Sequence, residues 1–563
     1  MKKIRHSLAH ILASAVKELY PKAKLGIGPD IDNGFYYDFD NLKNPDLKKI
    51  EKKMKELIKK DIKFKRKKIT KQQAKKIFKN EPYKLDLLKD LKDITIYESG
   101  NFTDLCTGPH IKSTKEIDID SFKLDKIAGA YWKGDEKNKM LTRIYGLAFK
   151  NKNELNKYLK LRKEAEKRDH RKLGKELDLF CFSDLVGPGL PLYTPKGTFI
   201  KEALQKRVEE ICKQYGFEKV ITPHLAKIKL FELSGHAKKF GEELFRVTSA
   251  RKQKFALKPV QCPHQTQIYA SKIRSYKDLP IRYMESNIQY RAEKPGEVGG
   301  LNRVYAITVE DGHSFCTPEQ VKQEIKIMIK IIQDFYKSLG LWKNHWVSLS
   351  LRDEKHPEKY IGEDKDWKQC EKILTEVCKE MKLNAKICKG EAALYGPKID
   401  FMFRDSIGKE IQIPTVQIDF ATPKRFNLTY IDKDGKEKHP VMVHRAILGS
   451  YERFLALIIE HFAGAFPLWL CPVQIWIIPI SSKHIKYAKE IKEQLKDFRT
   501  ELKNENETIS KKIRQGEMQK IPYLLIVGDK EVKNKTVSVR ERKKGNIGTM
   551  KINQFIKKYG SII

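Results

Sequence analysis

Residues 288–315 read IQYRAEKPGEVGGLNRVYAITVEDGHSF. Arg291 is followed by the acidic Glu293, a glycine-rich loop, a second arginine (Arg303) and a strand-like run carrying Asp311 and His313. Two other stretches belong with it. KPVQCPHQ (258–265) holds Cys262, and MVHRAILGSYERF (442–454) holds His444 with Gly449 and Arg453 just behind it. One soft thiolate and two imidazoles suit Zn²⁺, and three protein ligands leave a fourth position open to a substrate. Alone, three scattered residues of these types are more often ordinary buried side chains. Their surroundings decide the reading.

With 563 residues the chain is long enough for several domains, each with its own core. Lys+Arg 113 against Asp+Glu 73 leaves a formal charge of +40, which points to a polyanionic partner. Part of this surplus is plain lysine decoration of solvated faces, as in KKDIKFKRKKITKQQAKK (59–76). Nine cysteines without a CxxC pair argue for a reducing compartment rather than a disulfide framework. The start, MKKIRHSLAHILASAV, imitates a signal peptide, but His6 and His10 interrupt its apolar run. FLALIIEHFAGAFPLWL (454–470) contains Glu460 and His461 and is short for a membrane span. The expectation is a cytoplasmic protein without membrane partners.

Composition divides the chain into stretches. Residues 1–150 mix β-like runs such as NGFYYDFD (33–40) and RIYGLAF (143–149) with lysine-rich helical segments. Residues 151–176 read as one long, charged helical connector. From 177 to 467, helices such as GTFIKEALQKRVEEICKQYGF (197–217) alternate with strands such as VSLSLR (347–352) and EIQIPTVQIDFAT (410–422). Residues 468–563 alternate strand, helix and strand, as a small α/β domain does.

The Arg–acid–loop–Arg pattern of 288–315, together with HRAILGSYERF, resembles the second and third signature motifs of class II aminoacyl-tRNA synthetases. With Cys262, His313, His444, ALYGPKID (393–400) and EIQIPTVQIDF (410–420), the chain is similar over essentially its whole length to the threonyl-tRNA synthetase family. The resemblance implies an α+β multidomain fold: a class II antiparallel-sheet core flanked by helices, an α+β editing domain before it and an α/β anticodon-binding domain after it. It implies ATP with Mg²⁺, L-threonine and tRNA(Thr) as partners, one zinc per subunit and a homodimer. His6 lies so near the start that the small domain preceding the editing domain in bacterial relatives is expected to be absent.

By the same resemblance, Arg291 grips the α-phosphate, Glu293 places the adenine or its amino group, and Arg453 covers the base and reaches the γ-phosphate. Planar, permanently charged guanidinium groups suit that work. Arg303, Gln412, Thr415, Gln417 and Ser450 fall in the ATP- and substrate-binding set, and Tyr395 and Lys398 in the catalytic set. Zinc, held by Cys262, His313 and His444, reads the amino and hydroxyl groups of threonine, with Asp311 accepting the hydroxyl proton. Valine lacks the hydroxyl and is rejected strongly, whereas serine lacks only a methyl, a difference of about 1–3 kcal/mol. A second, hydrolytic site is therefore required.

HSLAH puts His6 and His10 one helical turn apart, and DLCTGPH (104–110) adds Cys106 and His110. Four such side chains suit a second zinc site, or form a plain buried cluster. The family resemblance favours instead a metal-free pocket for hydrolysing a seryl ester, with Asp104 and Lys84 beside it. The segment 197–225 resembles the first class II motif, a helix and a strand ending at Pro223 that build a dimer interface. His236 matches a histidine that helps activate the tRNA terminal hydroxyl, and Glu531 and Arg540 match residues that read the anticodon. QCPHQ replaces the family's NCPGH, which makes His264 a candidate competitor for the metal. Ile307 replaces an aromatic, Val309 a polar residue and Gly299 a loop histidine. These departures leave room for a non-catalytic, RNA-binding or regulatory relative; a different class II synthetase would have no use for the zinc trio.

Overall fold

The computed structural model describes residues 1–294, 296–343, 345–404, 408 and 410–560. The chain divides into two compact units, Met1–Glu164 and Ala165–Ile563. In the first, the helix Lys2–Leu19 buries a continuous run from Ser7 to Val16. It packs on the helix Leu47–Lys59 and on the strand Gly34–Asp40, the centre of an antiparallel sheet with Met140–Ala148 and Phe122–Tyr131. A second small sheet, Phe64–Lys68, Thr95–Ser99 and Phe102–Leu105, delivers the chain to Cys106.

The second unit is built on an eight-stranded sheet, antiparallel except for a parallel strand at each edge. Its centre is the trio Ala306–Cys316, Val441–Ser450 and Glu410–Asp419. The helix Val321–Ser338 lies under this trio and buries Val321, Ile325, Met328, Ile332, Phe335 and Tyr336, the i, i+3, i+4 stripe that a helix needs to pack on a sheet. A five-stranded mixed sheet, Thr500–Leu502, Ile475–Pro479, Tyr523–Val527, Val537–Glu541 and Gly545–Met550, closes the chain with its own core. All nine cysteines are free thiols. Among the described residues no helix is long and apolar enough to cross a membrane.

Two local expectations are corrected. The charged connector is not one helix: it breaks into Lys152–Arg168 and His170–Glu176. Asp169 accepts the Arg171 N–H and starts the second helix, and His170 is anchored by Glu460 at 2.8 Å and by the Leu301 N–H at 3.1 Å. The strand expected to end at Pro223 covers only Glu218–Lys219. Beyond it the Thr222 N–H goes to the Glu285 carboxylate at 2.7 Å, so a side chain takes over from the ladder.

Candidate functional site: a cysteine–histidine centre beside paired arginines

His313 and His444 are direct partners across the central strands, and Gln417 pairs with His444 on the next one. Sheet register therefore brings together residues that lie far apart in the chain. Cys262 joins them from the first position of the helix Cys262–Ala270. One ligand atom from each of the three lies within 4.8 Å of the others, and all three side chains are buried.

The donor set fits Zn²⁺ by its chemistry. His313 spends Nδ1 on Gln265 Oε1 at 2.7 Å, and His444 spends Nε2 on Asp419 Oδ2 at 3.1 Å, so each ring keeps one nitrogen for the metal. Burial drives the His313 pKa well below its ordinary value, which keeps the ring neutral, as a ligand must be. Burial likewise pushes the Cys262 thiol well up, and a coordinating cation is what would draw off its proton. His264 is not part of this donor set. It lies outside the trio, packs on Phe231 with ring centres 5.8 Å apart, and neither ring nitrogen has a partner.

The trio opens into a cleft of about 310 Å³ that Arg291, Glu293, Arg303, Ile307, Val309, Asp311, Tyr395, Thr415, Gln417, Ser450 and Arg453 also line. Asp311 is held by Gln289 at 3.0 Å, and burial raises its carboxyl to about 6. Arg303 is neutralised by Glu293 and Glu297 at 2.7 and 2.8 Å. Arg291 and Arg453 are different. Among the described residues Arg291 reaches only the Pro259 carbonyl at 3.5 Å, its Nε has no partner, and it lies 5.1 Å from the Phe240 ring centre. Arg453 Nε donates to the Asn302 carbonyl at 3.2 Å. Burial lowers the pKa of both, the mark of cations short of counter-charge. Two such guanidinium groups in one cleft suit an anionic ligand.

Ser450 caps the helix Tyr451–Phe462 by accepting the Arg453 N–H at 3.2 Å, which seats Arg453 in the first turn. Ser450→Ala is expected to cost about 1 kcal/mol of stability. A lowered denaturant midpoint with an unchanged slope would register it.

Other expected residues are not among those lining the cleft, although the His236 ring centre lies 6.4 Å from that of Tyr395, which does line it. Lys398 and Gln412 do not line the cleft: both bond the buried Asp400, at 2.5 and 2.7 Å, as does Thr415 at 2.8 Å. His236 is buried, bonds Ser234 at 2.9 Å and stays neutral, its pKa lowered by burial to about 3. Glu531 accepts the Gly528 N–H at 3.0 Å and so serves a helix start, while Arg540 reaches Glu517 at 3.3 Å. Sequence reasoning missed Asp400, Gln265, Glu285 and Gln289.

In the first unit, His6, His10, Cys106 and His110 converge within 4.8 Å of one another. Cys106 Sγ lies 3.3 Å from His6 Nε2 and 3.4 Å from His110 Nε2. His6, His10 and Cys106 border a cavity of about 490 Å³ that also takes in Lys84 and Asp104. Lys84 pairs with Asp104 at 2.5 Å, and Tyr37 donates to the same carboxylate at 2.6 Å, all three buried. Burial raises the Cys106 thiol to about 11, drops His110 to about 2 and pushes His10 far down. These imidazoles are neutral bases near pH 7. Below pH 6.5 the unfolded chain takes protons that the folded pocket refuses, so the unit loses stability as pH falls. Thermal melts at pH 7.5 and 5.5 are expected to show a lower midpoint at pH 5.5, and a smaller gap in His110→Gln.

Comparison with known proteins agrees with this geometry. The profile for the tRNA synthetase class II core domain (G, H, P, S and T) matches residues 245–462. An anticodon binding domain matches 474–561, and the threonyl and alanyl tRNA synthetase second additional domain matches 94–145. Two solved structures align over 70% of this chain: the RNA binding domain of threonyl-tRNA synthetase from Cryptosporidium parvum (TM-score 0.65, 34% identity, 98% of that chain) and a putative threonyl-tRNA synthetase, ThrRS-1, from Aeropyrum pernix (0.62, 26%, 94%). The sheet, the paired arginines and these profiles define a class II aminoacyl-tRNA synthetase. Threonine–tRNA ligases of Azobacteroides pseudotrichonymphae and Gloeobacter violaceus are 47% and 44% identical to it, each over 98% of this chain and over 86% and 91% of the relative. The chain belongs to the threonine–tRNA ligase family.

Proposed function

We propose that the chain activates L-threonine with ATP, transfers it to the 3′ end of tRNA(Thr), and hydrolyses seryl-tRNA(Thr) formed in error. The carrying observation is the juxtaposition, in one cleft, of the Cys262–His313–His444 donor set, the carboxyl of Asp311 and the two under-compensated arginines. Bound there, Zn²⁺ would offer an open coordination position to the amino and hydroxyl groups of threonine. Asp311 would take the hydroxyl proton, and its place beside the donor set makes the pocket unsatisfied by valine. Arg291 and Arg453, with Mg²⁺ on the nucleotide, would meet the charge that develops on the phosphates. His236, held by Ser234, is the neutral base nearest in role to the tRNA terminal hydroxyl.

Serine satisfies the same donors, so it needs removal elsewhere. The pocket faced by His6, His10 and Cys106 supports that role, with neutral imidazoles able to position water against the ester. We assign editing to residues 1–150, the connector to 151–176, catalysis to 177–467 and anticodon binding, with Glu531 and Arg540, to 468–563. The +40 charge suits a tRNA partner in the cytoplasm. A homodimer is proposed from the resemblance of 197–225 to the first class II motif. No observation favours the non-catalytic alternative.

Amino-acid-dependent ATP–pyrophosphate exchange tests the reading. Threonine and, more weakly, serine are expected to support exchange and valine is not; no exchange with any amino acid would refute it.

A further inference from the structure

We propose that Gln265 is the positioning residue of the metal centre: together with Glu285 it forms a buried carboxylate–amide–imidazole relay that fixes His313 with Nε2 presented to the metal. The proposal rests on the zinc reading above. Gln265 is fully buried on the helix that begins at Cys262. Its Oε1 lies 2.7 Å from His313 Nδ1, and its Nε2 donates to Glu285 Oε2 at 3.3 Å.

The order of groups sets the direction of every hydrogen bond. Glu285 is an acceptor already holding the Thr222 N–H at 2.7 Å, the Thr222 hydroxyl at 2.9 Å and Asn287 Nδ2 at 2.7 Å, with Lys258 Nζ 3.5 Å away. A carboxylate so engaged demands a donor from Gln265, which turns the amide NH₂ towards Glu285 and its oxygen towards His313. An amide oxygen only accepts, so His313 Nδ1 carries the hydrogen and Nε2 keeps its lone pair. The reversed amide would set oxygen against oxygen at Glu285 and leave His313 Nδ1 facing a donor.

His444 is oriented by a different device. Its Nε2 meets Asp419 Oδ2 at 3.1 Å, and Asp419 is itself held by the Ala421 and Thr422 N–H groups at 2.9 and 2.8 Å. One imidazole therefore leans directly on a carboxylate, while the other leans on a neutral amide with the charge one group further away. The QCPHQ spelling acquires a physical meaning. Its histidine is a bystander in an apolar contact, and its final glutamine does the orienting.

Losing such an outer partner is expected to weaken metal binding 10–100-fold. Gln265→Met keeps the side-chain length and removes both hydrogen bonds. Gln265→His restores one acceptor and one donor, so it can rebuild the relay. The experiment is competition for Zn²⁺ between the full chain and a chromophoric chelator, for the wild type, Gln265→Met, Gln265→His and Cys262→Ala. The metal-free forms are compared by melting, so that a folding defect is seen separately. The relay predicts a 10–100-fold loss in Gln265→Met and near wild-type affinity in Gln265→His, with altered visible bands of the Co²⁺-substituted protein in the methionine variant alone. Wild-type affinity in Gln265→Met, or equal losses in both Gln265 variants, overturns the relay and leaves the zinc reading standing. If Cys262→Ala binds Zn²⁺ as the wild type does, the metal centre itself is refuted and the relay with it.

Discussion

Arg291→Ala is expected to lower threonine-dependent ATP–pyrophosphate exchange by about 10²–10³-fold, the usual cost of removing one preorganised group from a developing charge. The reason lies in how little the cleft itself asks of this side chain. Arg303 is committed to Glu293 and Glu297, whereas among the described residues Arg291 has a single 3.5 Å bond to a carbonyl and an unpartnered Nε. A guanidinium kept at that cost, with its pKa lowered by burial, is poised for an anion that arrives with the substrate. Arg291→Lys is expected to recover only part of the loss, because a point charge cannot reproduce the planar fork. Steady-state exchange over a range of ATP concentrations checks this. Alanine-variant activity within about twofold of wild type would remove Arg291 from the nucleotide site.

The second large effect concerns the other unit. Hydrolysis of seryl-tRNA(Thr) is expected to fall by about 10²-fold in His10→Ala, the cost of misplacing the attacking water, while threonine-dependent exchange stays unchanged. His10 is buried, its Nδ1 has no partner among the described residues, Nε2 lies 3.7 Å from Asp104, and its ring packs on those of His6, Phe102 and His110. Lys84→Met is the harsher change. It leaves the buried Asp104 carboxylate without its cation, which costs about 3–5 kcal/mol and threatens the fold of the unit as well as the chemistry. Deacylation of purified seryl-tRNA separates the two variants: His10→Ala is folded and inactive, and Lys84→Met melts lower. Undiminished deacylation in His10→Ala would rule out the pocket as the editing site.

The parts of the site legible in the sequence were those written in contiguous text. Arg291 with Glu293 and His444 with Arg453 each lie within a short stretch, and the alternation in EIQIPTVQIDF announces its strand. What stayed hidden depends on register. Lys398, Gln412 and Thr415 meet only because two strands pair across Asp400, a residue with no local signal of its own. Gln265 and Glu285 are twenty positions apart and join through the approach of a helix to a strand. The break at Asp169 was missed because no glycine or proline marks it; a capping aspartate in a charged run looks like any other surface acid. His264 shows the converse. Its position beside Cys262 suggested a ligand, and the turn of the helix sends it to Phe231 instead.

The central claim is that the cysteine–histidine centre reads threonine through a metal. Its most direct test is threonine-dependent ATP–pyrophosphate exchange in protein stripped of zinc by a chelator, then resupplied with Zn²⁺. Exchange is predicted to vanish on stripping and to return with about one Zn²⁺ per chain. Metal-free protein that activates threonine at the full rate would contradict the account.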